Sequence, residues 1–437
     1  NPNNGATRDN ITIKASLDLG ETWLPANQVL IDERLSYGYS CLTMLDENTI
    51  GILYEGTKDL YFVKVPVNTT AQVPVFVSGT EGHKSYRIPA IIKNGTGELL
   101  AFAEGRVAGS NDFGDINIVL KKSTDNGKTW GSMTTVLDYN DLQAGNPAPV
   151  FDNSDPNFPK GRVFLFYNTG NNHEGEVRKG IGLREVWYKT STDGGNTWSE
   201  GVNITLQTHR PNQPSVNPAY TFKEDWRSYA NTPGHAMQFD EGKYKGRIFI
   251  AANHSTGEPQ KQFTDYASHG FYTDDHGKTF KLSEIVKIEG SNEATATAIS
   301  NNRLMLNARN QKGDKRSRIV AISNNGGETW DETYFDENLP DPVCEGSILT
   351  IGKKKGKSIL AFCNAADTKN RDNLTLRISF DEGKTWKISK LVYAGAGKKD
   401  KSPSAYSDIV KISKKTMGVL FEKDNYSQIV FSNINWK

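Results

Sequence analysis

The 437-residue chain lacks a long apolar run and an excess of charge of either sign. Without about 18 consecutive apolar residues, no helix is expected to span a bilayer. The 52 Lys and Arg nearly balance the 51 Asp and Glu, and a net charge of +1 gives no basis for expecting nucleic acid or an anionic membrane as partner. The first residues form neither a basic nor an apolar signal region, as is also true of a trimmed chain.

Cysteine and histidine are also sparse. The three cysteines, Cys41, Cys344 and Cys363, have no metal-ligand spacing and cannot all pair. Cys344 and Cys363 could form a disulfide, but we expect buried free thiols. The seven histidines are scattered without metal-ligand spacing, so we expect no catalytic metal.

One eight-residue pattern, Ser-x-Asp-x-Gly-x-Thr-Trp, returns along the chain. Intact copies begin at Ser16, Ser123, Ser191 and Ser379, and degenerate copies begin at Thr273 and Ser323. The Asp can accept hydrogen bonds from nearby backbone N–H groups, the Gly allows a positive φ, and the Trp supplies an apolar anchor. Short alternating apolar runs flank the copies, as at hairpin turns. A blade-sized repeat of this kind predicts an all-β fold, a β-propeller, in which these Asp boxes are structural.

Charged side chains recur at the ends of the predicted strands. Arg87 lies within the apolar segment Ser85-Tyr-Arg-Ile-Pro-Ala-Ile-Ile, and Asp112 follows Arg106 by six residues in a Gly-containing loop. An Arg within a buried strand is costly unless an anion meets it. Each such residue alone is explained by a structural ion pair or a turn. Further charged residues in such segments are Glu293, Arg309, Arg371 and Glu422, and Tyr406 lies in the segment Ser404-Ala-Tyr-Ser-Asp.

Taken together, the Tyr-Arg-Ile-Pro segment, the Asp boxes and the order of the remaining pieces resemble the bacterial sialidase (neuraminidase) family. The resemblance covers about residues 71 to 437. It implies a six-bladed β-propeller that acts on sialylated glycans without a metal or cofactor. It also implies a secreted, cell-surface or periplasmic location. Asp boxes alone would not carry this resemblance, because unrelated propellers contain them.

The resemblance assigns five residues to substrate binding. Arg87, Arg309 and Arg371 match the family's three-arginine cluster, which grips the substrate carboxylate. Glu422 matches the glutamate that orients the first arginine, and Arg106 matches a sugar-contacting arginine. Planar guanidinium groups suit this task, because they form charge-assisted, bidentate hydrogen bonds to a carboxylate.

The resemblance also assigns three catalytic residues. Asp112 matches the acid/base aspartate, Tyr406 the tyrosine nucleophile, and Glu293 the partner that activates the tyrosine. A phenol with an ordinary pKa near 10 needs such a base within hydrogen-bond reach. Asn146 stands where some relatives carry Asp, and Trp187 is offered for the acetamido pocket.

Residues 8 to 65 repeat the end of the same domain. Arg8-Asp-Asn-Ile-Thr-Ile parallels Arg371-Asp-Asn-Leu-Thr-Leu, and Tyr39 precedes Glu55 by the same sixteen residues that separate Tyr406 from Glu422. We therefore expect a partial duplicate of the last blade over residues 1–68 and a complete propeller over residues 71–437. The duplicate is read as the tail of an upstream module, as a segment that closes the ring in place of the C-terminal copy, or as part of a seven-bladed ring. Contiguity favours Tyr406 over Tyr39 as the site residue.

The function predicted on this basis is hydrolysis of terminal sialic acid from glycoproteins, glycolipids and oligosaccharides, with retention, by an exo-α-sialidase. The alternatives are a lectin-like propeller that binds sialic acid without turnover and a trans-sialidase, including an intramolecular one. A pure binder would need the arginines but not the acid, the base and the nucleophile. We expect a monomer, with blade exchange as a route to oligomers. The sequence leaves the linkage preference and the acceptor open.

Overall fold

The structure, a computed structural model, describes residues 8–14, 23, 28–35, 38–46, 49–66, 72–395 and 402–437. These residues are predominantly β-strand. They divide into two compact units, one that ends at residue 66 of the described chain and one that begins at residue 72. No helix among the described residues is long and apolar enough to cross a membrane.

The first unit contains two small antiparallel sheets. Strands β1 (Ile11–Lys14) and β2 (Gln28–Asp32) pair with each other. The other sheet has the order β3 (Ser40–Asp46), β4 (Thr49–Glu55) and β5 (Leu60–Pro66). One face of this sheet packs with β1 around Ile11, Ile52, Tyr54 and Val65. The first Asp box, apart from Trp23, and residues 67–71 lie outside the described residues.

The second unit is a ring of six antiparallel blades. It begins with β6 (Gln72–Val77). Blade 1 contains β7 (Ser85–Lys93), β8 (Leu99–Arg106), β9 (Ile116–Ser123) and β10 (Thr134–Leu137). Blade 2 contains β11 (Gln143–Asp152), β12 (Arg162–Gly170), β13 (Arg184–Ser191) and β14 (Val202–Asn203), with short helices α1 (Glu174–Val177) and α2 (Thr205–Thr208) in its connections.

The remaining blades follow in chain order. Blade 3 contains β15 (Trp226–Asn231), β16 (Met237–Gln238), β17 (Ile248–Thr256), β18 (Tyr266–Thr273) and β19 (Lys281–Leu282), with a 3-10 turn at Lys261–Phe263. Blade 4 contains β20 (Ser291–Ile299), β21 (Arg303–Asn310), β22 (Ser317–Ser323) and β23 (Glu332–Pro340). Blade 5 contains β24 (Gly346–Lys354), β25 (Lys357–Ala365), β26 (Leu374–Ser379) and β27 (Ile388–Tyr393). Blade 6 contains β28 (Ser404–Lys411), β29 (Thr416–Lys423) and β30 (Gln428–Asn435).

The ring closes through one shared sheet. Strand β6 pairs antiparallel with β30, with Phe76 opposite Ile429, so that the first strand of the unit completes its last blade. Closure leaves few exposed sheet edges in a propeller. The predicted all-β, six-bladed propeller is confirmed.

The Asp boxes of the second unit are turns that directly follow β9, β13, β18, β22 and β26. In the copy after β9, Asp125 Oδ1 accepts hydrogen bonds from the N–H groups of Lys128 at 3.0 Å and Thr129 at 2.9 Å. Gly127 has a φ of +84°, and a Cβ there would collide with the Phe431 ring. The Trp130 ring meets the same Phe431 at 5.4 Å between centroids. Each box is therefore a turn that anchors its blade to a neighbour.

All three cysteines are free. Cys344 and Cys363 are buried, as expected, whereas Cys41 is exposed. Burial raises the pKa of both buried thiols to about 12, so they remain protonated at neutral pH.

Candidate active site

The charged residues predicted from sequence lie at one end of the blades, because antiparallel neighbours bring the start of one strand beside the end of the next. β7, β11, β20 and β28 each contain a bulge close to where they begin. A bulge bends the strand locally and re-aims the side chains beside it. The residues in or beside these bulges are Arg87, Asn146, Glu293 and Tyr406.

The bulge in β7 joins Arg87 to a buried carboxylate. Ile88 has a φ of +57°, which is unusual for a β-branched residue and directs its N–H inward. Glu422 accepts a hydrogen bond from that N–H at 2.9 Å and two from Arg87, at 2.9 and 3.3 Å. The N–H of Tyr406 donates to the same carboxylate at 3.1 Å. Glu422 is fully buried and compensates the charge of Arg87 from behind, so that the third guanidinium nitrogen, Nη1, faces the cavity and Asp112.

Three arginines and one glutamate surround a single tyrosine. The hydroxyl of Tyr406 donates a short hydrogen bond to Glu293 and accepts one from Arg309 Nη1 at 2.9 Å. The guanidinium carbons of Arg87 and Arg371 lie 5.2 and 5.5 Å from the centre of its ring. Burial and the neighbouring Glu293 raise the pKa of Tyr406 well above its ordinary value, so the resting phenol is neutral.

Arg371, the third arginine, is oriented by a second tyrosine and by a backbone carbonyl. Arg371 donates to the hydroxyl of Tyr426 at 3.3 Å and to the backbone carbonyl of Val343 at 3.2 Å. Arg87 stacks on the same Tyr426 ring at 4.0 Å. One aromatic side chain therefore orients two of the three guanidinium groups.

Asp112 lies in the β8–β9 connection, and its side chain is 68% exposed. It accepts a hydrogen bond from Arg106 Nη1 at 2.7 Å and lies 3.5 Å from Arg87 Nη1. Partial desolvation would raise the pKa of Asp112, but the positive charges of Arg106 and Arg87 outweigh it and hold the pKa below its ordinary value. Glu104 holds Arg106 with two hydrogen bonds, at 3.1 and 2.7 Å.

These side chains enclose one polar cavity of about 170 Å³. Seven of the eight predicted site residues line it, and the eighth, Glu422, lies behind Arg87. A larger cavity of about 420 Å³, lined by the innermost strands of the blades, contains none of the eight. The duplicated positions belong to the first unit, where Tyr39 is 70% exposed, compared with 5% for Tyr406.

The comparisons with known proteins agree on one family. Residues 97–419 match the family model of the BNR repeat-like domain. The chain is 30% identical to an exo-alpha-sialidase from Arthroderma benhamiae over 79% of each chain. It is also 30% identical to a sialidase from Micromonospora viridifaciens, over 82% of this chain and 53% of that protein, so the chain spans about half the length of that relative. The chain belongs to the sialidase family.

A solved structure of the same kind shares the fold. The Hadza microbial sialidase Hz136 superposes with a TM-score of 0.70 at 23% identity, covering 89% of this chain and 73% of that one. The sialidase propeller is thus seen both in sequence relatives and in structure.

Several residues of the sialidase cavity were not foreseen. Glu104 bridges Arg106 and the backbone N–H of Asn146, which donates to it at 2.9 Å. Its position two residues before Arg106 on one strand face was the available signal. Glu174 lies in a long connection, whose path no local pattern predicts, and Gln311 follows β21. The other unforeseen residues that line the cavity lie on strands, where no sequence pattern marks them: Gln143, Arg184, Ser228, Asn253 and Asn292. Trp187 is not among the lining residues.

One group of potential metal ligands occurs within the described chain, away from this cavity. Ligand atoms of Asp152, Asp155 and His276 all lie within 4.8 Å of one another. Arg162 donates to Asp155 at 2.9 Å and lies 4.0 Å from Asp152. The guanidinium already supplies the positive charge that these carboxylates need, so we assign no ion to the group.

Proposed function

We propose that the chain is an exo-α-sialidase that releases terminal sialic acid with retention through a sialyl-tyrosine intermediate. The single observation that supports this most is the surrounding of Tyr406 by Glu293 and by Arg87, Arg309 and Arg371. Sialic acid carries a carboxylate on its anomeric carbon, which the three guanidinium groups can bind. The same cluster therefore holds the anomeric carbon beside the phenol.

In the first step, the Tyr406 oxygen bonds to the anomeric carbon as the bond to the leaving oxygen breaks. Glu293 takes the phenolic proton, and Asp112 gives a proton to the leaving oxygen. A neutral phenol approaches a centre that bears a carboxylate without the repulsion that a carboxylate nucleophile would meet. In the second step, Asp112 takes a proton from water, and the water oxygen bonds to the anomeric carbon. The bond from that carbon to the Tyr406 oxygen breaks, and Glu293 returns the proton to the phenolic oxygen.

A binding-only propeller accounts for the site less well. Carboxylate recognition needs the three arginines and Glu422, but it does not need a base against Tyr406. The hydrogen bond from that hydroxyl to Glu293 gives the phenolic proton an acceptor, which turnover requires and binding does not. Because sialylated glycans are the substrates of this family, we propose that the protein acts outside the cytoplasm, in secreted or cell-surface form.

Trapping of the intermediate tests this proposal. The full chain is first assayed on a fluorogenic sialoside and then incubated with a fluorinated sialosyl inhibitor, and the adduct is located by peptide mass spectrometry. We expect turnover and a label on the peptide that contains Tyr406. Binding without turnover would favour the lectin-like alternative, and a label on Tyr39 would move the site to the other unit.

Asp112→Ala is expected to slow natural sialosides far more than substrates with an activated phenol leaving group. Proton transfer to the leaving oxygen is typically worth on the order of 10²- to 10⁴-fold, and a good leaving group does not need it. Asp115→Ala, in the same loop and outside the cavity, is the matched control. Comparison of kcat/KM for both substrate classes measures the effect, and equal losses on both would refute the role of Asp112.

The pH dependence should differ between the free and the occupied site. Asp112 acts as an acid only when protonated, so the rate falls as pH rises through its pKa. Arg106 and Arg87 lower that pKa in the empty site. A bound carboxylate adds a negative charge and engages Arg87, and both changes raise the pKa. The alkaline limb of kcat, which reports the occupied enzyme, should therefore lie at higher pH than that of kcat/KM.

Steady-state pH profiles on a natural sialoside measure the two limbs. The Asp112→Ala variant should lose the difference between them. The electrostatic coupling of Asp112 to the carboxylate subsite would be contradicted by two results. One is that the alkaline limbs of kcat and kcat/KM coincide in the unaltered enzyme, and the other is that the kcat limb lies at lower pH than the kcat/KM limb.

A further inference from the structure

One face of the β3–β4–β5 sheet in the first unit is apolar and exposed. Leu53, Leu60 and Phe62 are 44%, 67% and 53% exposed, and we call the surface they form the Leu53 face. Leu53 lies opposite Phe62 in the register, so their side chains share that face. The other face of the sheet is packed around Ile52 and Tyr54. Contiguous exposed apolar side chains of this kind mark an interaction surface.

The last blade of the propeller contains residues equivalent to those of the Leu53 face, and there they are buried. Leu53 lies opposite Phe62 just as Leu420 lies opposite Phe431, and Glu55 lies opposite Leu60 just as Glu422 lies opposite Ile429. The duplicate therefore keeps a bulky apolar residue at each of the three positions, two of them identical. In the propeller these residues are fully buried: Leu420, Ile429 and Phe431.

The equivalent propeller face is covered by another antiparallel sheet. Its partners there include Phe76, Tyr86, Leu99 and Val119 of the first blade and of the strand that closes the ring. Burial of a large apolar side chain contributes about 1.5–3 kcal/mol. Sheets of this fold thus pack face to face, and within the described residues of the first unit no second sheet packs on the Leu53 face.

We propose that the Leu53 face packs against the same face of a second copy of this chain. The first blade cannot serve in another molecule, because it is already covered by its own last blade. A second copy of the chain presents the same uncovered sheet face at the same concentration. A twofold axis between the two copies makes the contact self-complementary.

Charge along the face fits the same arrangement. Glu55 stands at the Leu60 end of the face, and Lys64 stands at the other end, opposite Gly51. A twofold axis that reverses the strand direction places Glu55 of one copy near Lys64 of the other. Leu53 and Phe62 then lie at the centre, and the charged Glu55 and Lys64 lie at the two ends, as in stable interfaces with an apolar core and a polar rim.

Cys41 provides a probe of this contact. It lies opposite Leu53 in the register, so it is on the Leu53 face, and it is exposed. Cys344 and Cys363 are buried in the propeller and should not react with a maleimide. The rate of labelling therefore reports how far the Leu53 face is covered.

The experiment combines the mass of the full chain in solution with the labelling of Cys41. Light scattering over a concentration series should give a dimer at high concentration. The Cys41 labelling rate should fall about tenfold on dimerisation, since the covered state is favoured by mass action. Leu53→Glu combined with Phe62→Lys should give a monomer with fast labelling at all concentrations. Leu206→Glu, at a leucine of the second unit that is 50% exposed, is the matched control and should keep the dimer.

Three results would overturn the proposal. One is a monomer whose labelling rate is the same at every concentration. Another is a dimer that survives in the double variant, which would place the contact elsewhere. The third is a monomer with slow labelling, which would mean that the face is covered within one chain. Sialidase turnover of each variant serves as the folding check on the propeller.

Discussion

Replacement of Tyr406 by phenylalanine is expected to lower kcat by on the order of 10³-fold on natural sialosides, because it removes the nucleophile together with the proton that Glu293 would take. The ring and its contacts with Arg87 and Arg371 remain, so substrate binding should change much less. Single-turnover and steady-state kinetics separate the two effects. An increase in KM with an unchanged kcat would mean that Tyr406 only binds the substrate.

The duplicated segment supplies the matched control. Tyr39 has the same spacing to Glu55 as Tyr406 has to Glu422, but its side chain is largely exposed. Tyr39→Phe should leave kcat unchanged. If Tyr39→Phe instead abolished turnover and Tyr406→Phe retained it, the first unit would contribute the nucleophile.

Glu422→Ala is expected to lower the free energy of unfolding of the propeller by about 3–5 kcal/mol, the usual effect of leaving a buried charge without its partner. The carboxylate accepts two hydrogen bonds from Arg87 and one each from the N–H groups of Ile88 and Tyr406. Alanine leaves all of these donors without an acceptor in a dry interior. Urea unfolding monitored by tryptophan fluorescence measures the loss.

Glu55→Ala is the control for this prediction, because it removes the equivalent carboxylate from the partial copy. It should leave the stability of the propeller unchanged. A Glu422→Ala variant as stable as the parent would show that solvent compensates Arg87, and it would remove the charge argument for Glu422.

The fold could be predicted because its signal is local and repeated. In each box, Asp or Asn, Gly and an aromatic residue act within eight positions, so these turns follow from short-range chemistry. The confirmed ring of blades follows from their recurrence. The proposed roles at the site could be assigned only through resemblance, since Arg87 and Glu422 are far apart in sequence yet share two hydrogen bonds. Their assigned roles stay predictions, although the structure brings the side chains together.

The parts that sequence did not reveal depend on tertiary placement. Tyr426 orients Arg87 and Arg371, but it follows a strand with nothing to distinguish it from other surface tyrosines. Glu174 reaches the cavity from a four-residue helix in a long connection, and such connections are not constrained by periodicity. The bulges that aim Arg87 and Tyr406 also leave no pattern in the residues themselves.

The pairing of β6 with β30 has a consequence for biosynthesis. As the polypeptide leaves the ribosome, β6 emerges among the first strands of the propeller, and its partner emerges among the last. Until then, neither Arg87 nor the apolar side of the opening blade has its final neighbour. The outer apolar side of the first blade therefore stays uncovered until the last blade has been synthesised, whereas the blades between them can pack on their neighbours as they emerge.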